Sequence, residues 1–281
     1  DTGRCATRRD FLKNSALFAS AAVAGSGGLV RNAYAAGGDT IKVGMIGCGG
    51  RCTGAAAEAL TADPGARLVA MCDIIEERIK SRRERLKQQF KDQVAVDDDH
   101  CFTGFDGYKH VIEACDVVLI ANAAKFHPFH TLQALKAGRH VFVEKPHGID
   151  PLGMKVLKQA VDLAKEQGLS LVSGLQSRYH SGYQETIQRI YDGAIGDIIC
   201  IEENFLRAPY QITPREPWMS ELVWQCSTQY HFRWLSGDDV TQSLVHNLDR
   251  ANWVLHNTPP GQVSRTRRTL LDDGSYLRRC V

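Results

Sequence analysis

The stretch Ile41–Leu60, IKVGMIGCGGRCTGAAAEAL, constrains the fold of this chain more than any other. Its first six residues, Ile41 to Ile46, form a short apolar run rich in β-branched side chains and read as a strand. The glycine turn Gly47-Cys48-Gly49-Gly50 follows, and an alanine-rich helix runs on from about Thr53 to Leu60. Strand, glycine turn and helix in that order make a phosphate-binding unit. The turn lets backbone approach a ligand, and the helix start offers unpaired N–H groups and a positive dipole end to a pyrophosphate. Gly47, Gly49, Gly50 and Arg51 are therefore the first cofactor-binding candidates. Cys52 stands where a third glycine would allow close helix–strand packing, and it is small enough to do so with little disturbance. A glycine-rich turn that binds nothing is the alternative reading of this stretch alone.

The next elements strengthen the binding reading. Ala66–Cys72 reads as a second strand and ends at Asp73, 24 positions after Gly49. A carboxylate there can accept both ribose hydroxyls of an adenosine and repel a 2′-phosphate, and Ile74 rather than arginine follows it. NAD is thus expected over NADP, with a helix-capping role for Asp73 as the alternative. Further strands are expected at Asp116–Ala121, His140–Val143 and Leu169–Ser173, with a short one ending Val94–Thr103. Helices are expected at Glu76–Phe90, Gly107–Ala114, His127–Ala137 and Asp150–Gln167. Alternation with short connections predicts an α/β fold, an N-terminal Rossmann-type, doubly wound parallel sheet. Beyond it, helix Ser181–Asp192, a long strand Asp197–Arg207, an aromatic-rich stretch Val223–Leu235 and helix Asp239–His256 predict a second domain of α+β type.

The N-terminus carries a different message. Thr7-Arg8-Arg9-Asp10-Phe11-Leu12-Lys13 has the form of a twin-arginine export signal, followed by an apolar stretch, Ser15 to Val30, and a small-x-small site at Ala33-Tyr34-Ala35. The twin-arginine translocase is the partner this implies, and a periplasmic or exported location the destination. The apolar stretch is too short and glycine-rich for a stable membrane span. The net charge of +2 comes from this segment, and the remainder is near −1, so no nucleic-acid partner is announced. None of the nine cysteines forms C-x-x-C, which favours reduced, structural thiols. His127-x-x-His130 lacks a third ligand in the sequence, and no metal site is expected.

The order of these motifs resembles the Gfo/Idh/MocA oxidoreductases, the family that includes glucose–fructose oxidoreductase and inositol 2-dehydrogenase. The resemblance rests on the turn Gly47–Gly50, on Asp73, on the stretch ending at His130, on Glu144-Lys145-Pro146 after a strand, and on Val245-His246-Asn247-Leu248-Asp249 in the last helix. It is strongest to the exported members. It implies Lys145 and His246 as the catalytic pair, and Asn122, His130 and Glu144 as cofactor-facing residues. Arg178, His180, Gln242 and Asp249 are the implied substrate-binding residues, and Pro146 is implied to follow a cis bond. A lysine at a strand end can hydrogen-bond a substrate hydroxyl and stabilise charge on its oxygen. Gln242 stands where many relatives carry an aspartate one turn before the histidine. An amide can orient a hydroxyl but cannot share its proton, so Asp249, on the same face as His246, is the other candidate to orient the ring.

The expected domains are 1–35, an export signal; 36–175, the Rossmann domain; 176–260, a partial substrate and oligomerisation domain; and 261–281, an arginine-rich tail. The family's second domain is a broad antiparallel sheet that often forms a homo-oligomer face. Here only Asp197–Arg207 reads as one of its strands, and the last residues, with five arginines, show none of the expected kind. A fragment or an altered C-terminal end is the expectation, with a tail that binds something acidic as the alternative. The function expected is NAD-dependent hydride transfer at a secondary hydroxyl of a sugar, cyclitol or related polyol. The rivals are an NAD-dependent glycosidase of the same fold, which Lys145 argues against, and a truncated dinucleotide-binding protein without catalysis. Trp218, Trp224 and Trp234 suit a sugar-binding wall or a core equally.

Overall fold

The computed structural model describes residues 40–258 and the strands at 266–270 and 276–280. The expected export signal lies outside the described residues. Six strands, β1 (Ile41–Ile46), β2 (Ala66–Asp73), β3 (Cys101–Thr103), β4 (Val117–Ile120), β5 (His140–Val143) and β6 (Leu171–Ser173), form one parallel sheet in the order β3-β2-β1-β4-β5-β6. This is the doubly wound topology expected from the alternation. The crossover connections are helices α1 (Gly50–Ala62), α2 (Glu76–Phe90), α3 (Gly107–Ala114), α4 (His127–Lys136) and α5 (Pro151–Gln167).

Both sheet faces are covered, which is why its strands are apolar runs. Val43, Met45, Leu68, Met71 and Leu119 pack with residues of α1 and α2 on one face. Ile46, Val118, Ile120 and Val141 pack with Val111, Leu135 and Ala160 of α3, α4 and α5 on the other. Helix α2 is dominated by charged side chains and buries only Ile79 and Leu86, seven positions apart on one stripe. Cys52 is fully buried, with its thiol 3.6 Å from the Leu119 carbonyl oxygen, so the position of the missing glycine is filled by a side chain that fits under the helix.

The second part contains α6 (Ser181–Tyr191), α7 (Glu221–Ser227), α8 (Arg233–Ser236) and α9 (Val245–Val254), with a π-helical turn, Val240–Leu244, leading into α9. One expectation is overturned: Asp197–Arg207 is not a strand. A strand needs a neighbour to take its N–H and C=O groups, and none of the described strands pairs with this segment. Ile199 and Leu206 are 91% and 92% exposed, and the segment is held by side-chain ties, Glu203 to Arg250 and Arg207 to Asp239. The tail, where no strand of the second-domain kind was expected, contains an antiparallel pair, β7 (Thr266–Leu270) and β8 (Tyr276–Cys280). Among the described residues no helix is long and apolar enough to cross a membrane, and no cluster of side chains could hold a metal ion.

Candidate active site

β1 and β4 are neighbours at the centre of the sheet, and their connections leave in opposite directions. In such sheets this switch point opens a crevice at the carboxyl ends of the strands. Gly47 ends β1 there. Its φ of +93° favours glycine, and a Cβ would come within 2.9 Å of Asn122, so turn and β4 loop touch only because the side chain is absent. A cleft of about 240 Å³ lies beside this contact, walled by Arg51, Asn122, Glu144, Lys145, Gln242 and His246. The ends of β1, β4 and β5 and the π turn before α9 thus bring six of the sequence-nominated residues together.

Glu144 is 3% exposed and its Oε1 accepts from Arg51 Nε at 2.5 Å. The approach of Gly174 encloses it further, since a Cβ there would fall 2.7 Å from its carboxylate. The Lys145–Pro146 bond is cis. Lys145 Nζ donates to the Gln242 carbonyl at 2.5 Å, and burial pulls its pKa below the ordinary lysine value, with Glu144 opposing and Arg51 and Arg207 reinforcing the fall. Burial also lowers the pKa of His246, helped by the positive charges of Lys145 and Arg250 and opposed by Asp249. His246 Nδ1 is buried and has no hydrogen-bond partner. The site therefore holds a neutral imidazole and a lysine whose proton is easier to lose than usual, within one cleft.

Several nominated residues do other things. The Gln242 side chain donates to the Ser236 carbonyl at 3.0 Å, so this residue serves the cleft with its backbone. Asp249 is bound to Arg178, with Nη2–Oδ1 at 2.8 Å, and Arg178 also packs over Trp253, so that pair ties the turn before α6 to α9 and does not hold His246. His180 caps α6, its Nδ1 accepting from Gly182 N at 3.1 Å. His130 is buried between Tyr108 and Phe126, beside the Asn122 amide, and burial pushes its pKa down to about 3. His127 is the histidine on the cleft: its ring nitrogens lie 2.8 Å from the Pro146 oxygen and 3.0 Å from the Asn122 oxygen. Burial pushes its pKa down to about 4, so the neutral ring donates to one of the two carbonyls. Gln229 and Tyr230 also wall the cleft, and Gln229 Oε1 accepts from Ala124 N at 2.8 Å. No motif marked either residue; the aromatic richness of Val223–Leu235 was the only signal. Trp224 donates to the Thr213 carbonyl at 2.8 Å and Trp234 to Gln225 at 2.7 Å, and neither they nor Trp218 line the cleft.

The turn fits a dinucleotide. Helix α1 has no side-chain cap and no acidic residue in its first turn. A Cβ built on Gly49 or Gly50 meets nothing within 4 Å, which leaves the helix start open to an anion. Asp73 ends β2 with Oδ2 accepting from Cys48 N at 2.7 Å and Oδ1 from Ile75 N at 3.0 Å, so its carboxylate is fixed against the turn. The buried, unpartnered Asn122 Oδ1 is a further acceptor beside the cleft.

Residues 41–175 match the family described as an oxidoreductase family with an NAD-binding Rossmann fold, GFO_IDH_MocA. The dTDP-3,4-didehydro-2,6-dideoxy-alpha-D-glucose 3-reductase of Actinomadura kijaniata is 28% identical over 171 residues, which is 60% of this chain and 46% of that protein. A glycosyl hydrolase family 109 protein of Porphyromonas gingivalis is 25% identical over 171 residues, 60% of this chain and 35% of its own length. Among solved structures, KijD10, a 3-ketoreductase from Actinomadura kijaniata in complex with NADP and TDP-benzene, superposes with a TM-score of 0.56 at 22% identity, covering 77% of this chain and 57% of that one. The matched part thus spans about half or less of the curated relatives' lengths.

Proposed function

We propose, from the match of residues 41–175 to the Gfo/Idh/MocA oxidoreductase family, that this protein oxidises a secondary hydroxyl of a sugar, cyclitol or related polyol with NAD. The observation that carries the reading is the convergence of Lys145 and His246 on one cleft beside the glycine turn. A nicotinamide, when bound, supplies a two-electron acceptor for the carbinol hydride. Gly47, Gly49, Gly50 and Arg51 would hold its pyrophosphate, Asp73 its adenosine ribose, and Asn122 and Glu144 its nicotinamide side. His246, kept neutral by its partial burial and the nearby positive charges, takes the hydroxyl proton as the carbonyl forms. The Lys145 ammonium has two N–H donors left beyond its bond to Gln242, and one of them supports the oxygen as it gains negative charge.

The test is absorbance of reduced cofactor on mixing the NAD-loaded protein with a panel of sugars and cyclitols. Turnover with a polyol that is lost in Lys145→Met and His246→Ala supports the reading; tight NAD binding with no reduction by any polyol sinks it. Similarity to a glycosyl hydrolase family 109 protein keeps a second reading in play, transient oxidation followed by elimination of an aglycone. Release of phenol from aryl glycosides separates the two. Export through the twin-arginine pathway is part of the proposal, rests on Thr7–Lys13 and Ala33–Ala35, and is tested by cell fractionation of wild type and an Arg8→Lys, Arg9→Lys variant.

A further inference from the structure

A second cavity of about 480 Å³ adjoins the cleft and shares two of its walls, His246 and Gln176. Its other walls include the exposed aromatic rings of Tyr183 and Phe205, with His180 and Arg250 beside them. Phe205 lies nearly parallel to the His246 ring, 6.4 Å between centroids at 18°, and His180 meets Tyr183 edge-on at 5.4 Å. Small-molecule sites usually enclose about 300–1,000 Å³, so the first cleft, at about 240 Å³, would be filled by the nicotinamide side of the cofactor and the reacting ring. A molecule whose hydroxyl is presented to His246 extends past that ring into the second cavity.

We propose that the second cavity is a subsite for the aglycone or neighbouring sugar of a neutral glycoside, so that the substrate is a glycoside and not a free cyclitol or a sugar nucleotide. The inference rests on the oxidoreductase reading above. Two arguments select this occupant. Aromatic faces flanked by polar side chains suit a group with apolar C–H faces and a hydroxylated rim. The cationic side chain in the wall is already matched: Arg250 Nε lies 3.2 Å from Glu203 Oε1, and its guanidinium lies over the Tyr183 ring. A diphosphate would bring about two negative charges against a cation already neutralised, which a neutral ligand does not.

The experiment is calorimetric titration of the full chain, saturated with NAD, with hexoses and N-acetylhexosamines, their phenyl glycosides, myo-inositol and dTDP-glucose. The expected result is a phenyl glycoside that binds about tenfold more tightly than its parent sugar, the size of one well-buried aromatic contact. Tyr183→Ala is expected to collapse that preference and Tyr183→Phe to keep it; Phe205→Leu gives an independent reading should Tyr183→Ala melt early. Equal affinity for glycoside and parent sugar, no glycoside binding, tighter binding of dTDP-glucose, or a preference untouched by these variants would overturn the subsite. Glycoside preference without cofactor reduction would sink the oxidoreductase reading alone, and reduction by free polyols without that preference would sink the subsite alone.

Discussion

Arg51 Nε and Glu144 Oε1 meet at 2.5 Å, joining the first turn of α1 to the end of β5. The pair is asymmetric: the arginine is 44% exposed at its side chain, the glutamate 4%. Removing the arginine leaves a carboxylate enclosed by protein, whereas removing the charge on the glutamate leaves an arginine that water can reach. Arg51→Ala is expected to cost about 2 kcal/mol, below the full penalty for breaking a buried pair because solvent reaches its vacated space. Urea unfolding of Arg51→Ala, Glu144→Gln and the double variant checks this, and the double variant should be more stable than Arg51→Ala alone.

His246 and Lys145 both titrate below their ordinary values. A base with a lowered pKa is already deprotonated at mildly acidic pH. The acid limb of kcat/KM for polyol oxidation is therefore expected below pH ~6.5, the free histidine value. His246→Ala should lower kcat by roughly 10²–10⁴-fold and abolish that limb. A pH–rate profile in which His246→Ala retains the acid limb would show that another group carries it.

Asp73 does two jobs at once. Its oxygens fix the backbone of Cys48 and Ile75, and its charge faces the place where an adenosine ribose would lie. Asp73→Ser is expected to weaken NAD binding about tenfold and to narrow the preference over NADP. It should also lower stability by about 1 kcal/mol, since a hydroxyl cannot satisfy both N–H groups. Cofactor titration with thermal melts separates the two effects; tighter binding of NADP than NAD by wild type would refute the selectivity.

His127 and His130 carry folded pKa values of about 4 and about 3, because both rings are buried. The unfolded chain binds these protons near pH ~6.5, before the folded one does. Stability contributed by the neutral rings is therefore full above that pH and is lost as pH falls through the window down to the folded values. The melting temperature should fall steeply from pH 6.5 to 4, and His127→Asn or His130→Asn should flatten that slope while lowering stability at pH 7.5.

The sheet was legible because a parallel strand covered on both faces is a continuous apolar run, and β1, β2, β4 and β5 are such runs. The cleft and the turn beside it were legible as far as their residues sit at strand ends, where Gly47, Asp73, Asn122, Glu144 and Lys145 are placed by the sheet itself. The Arg178–Asp249 pair spans 71 positions and is created by the packing of the turn before α6 on α9, which no local pattern encodes. Gln242 was read through its side chain, but it contributes a carbonyl, and every residue has one. Asp197–Arg207 has the β-branched apolar run of a strand in Ile198 to Ile201; a strand is a relation between two segments, and the described residues hold no partner for it.

The π turn Val240–Leu244 has a consequence for how this site tolerates change in length. A π turn closes its hydrogen bonds over one more residue than an α turn. Deleting one of its five residues would let the helix run on as regular α with the residues after it still facing the same way, because the wider turn already holds the extra residue. His246 would stay on the cleft, Asp249 on Arg178 and Arg250 on Glu203. A one-residue deletion in the π turn is therefore expected to be tolerated better than one between His246 and Asp249, which would turn Asp249 and Arg250 away from Arg178 and Glu203 by about 100°.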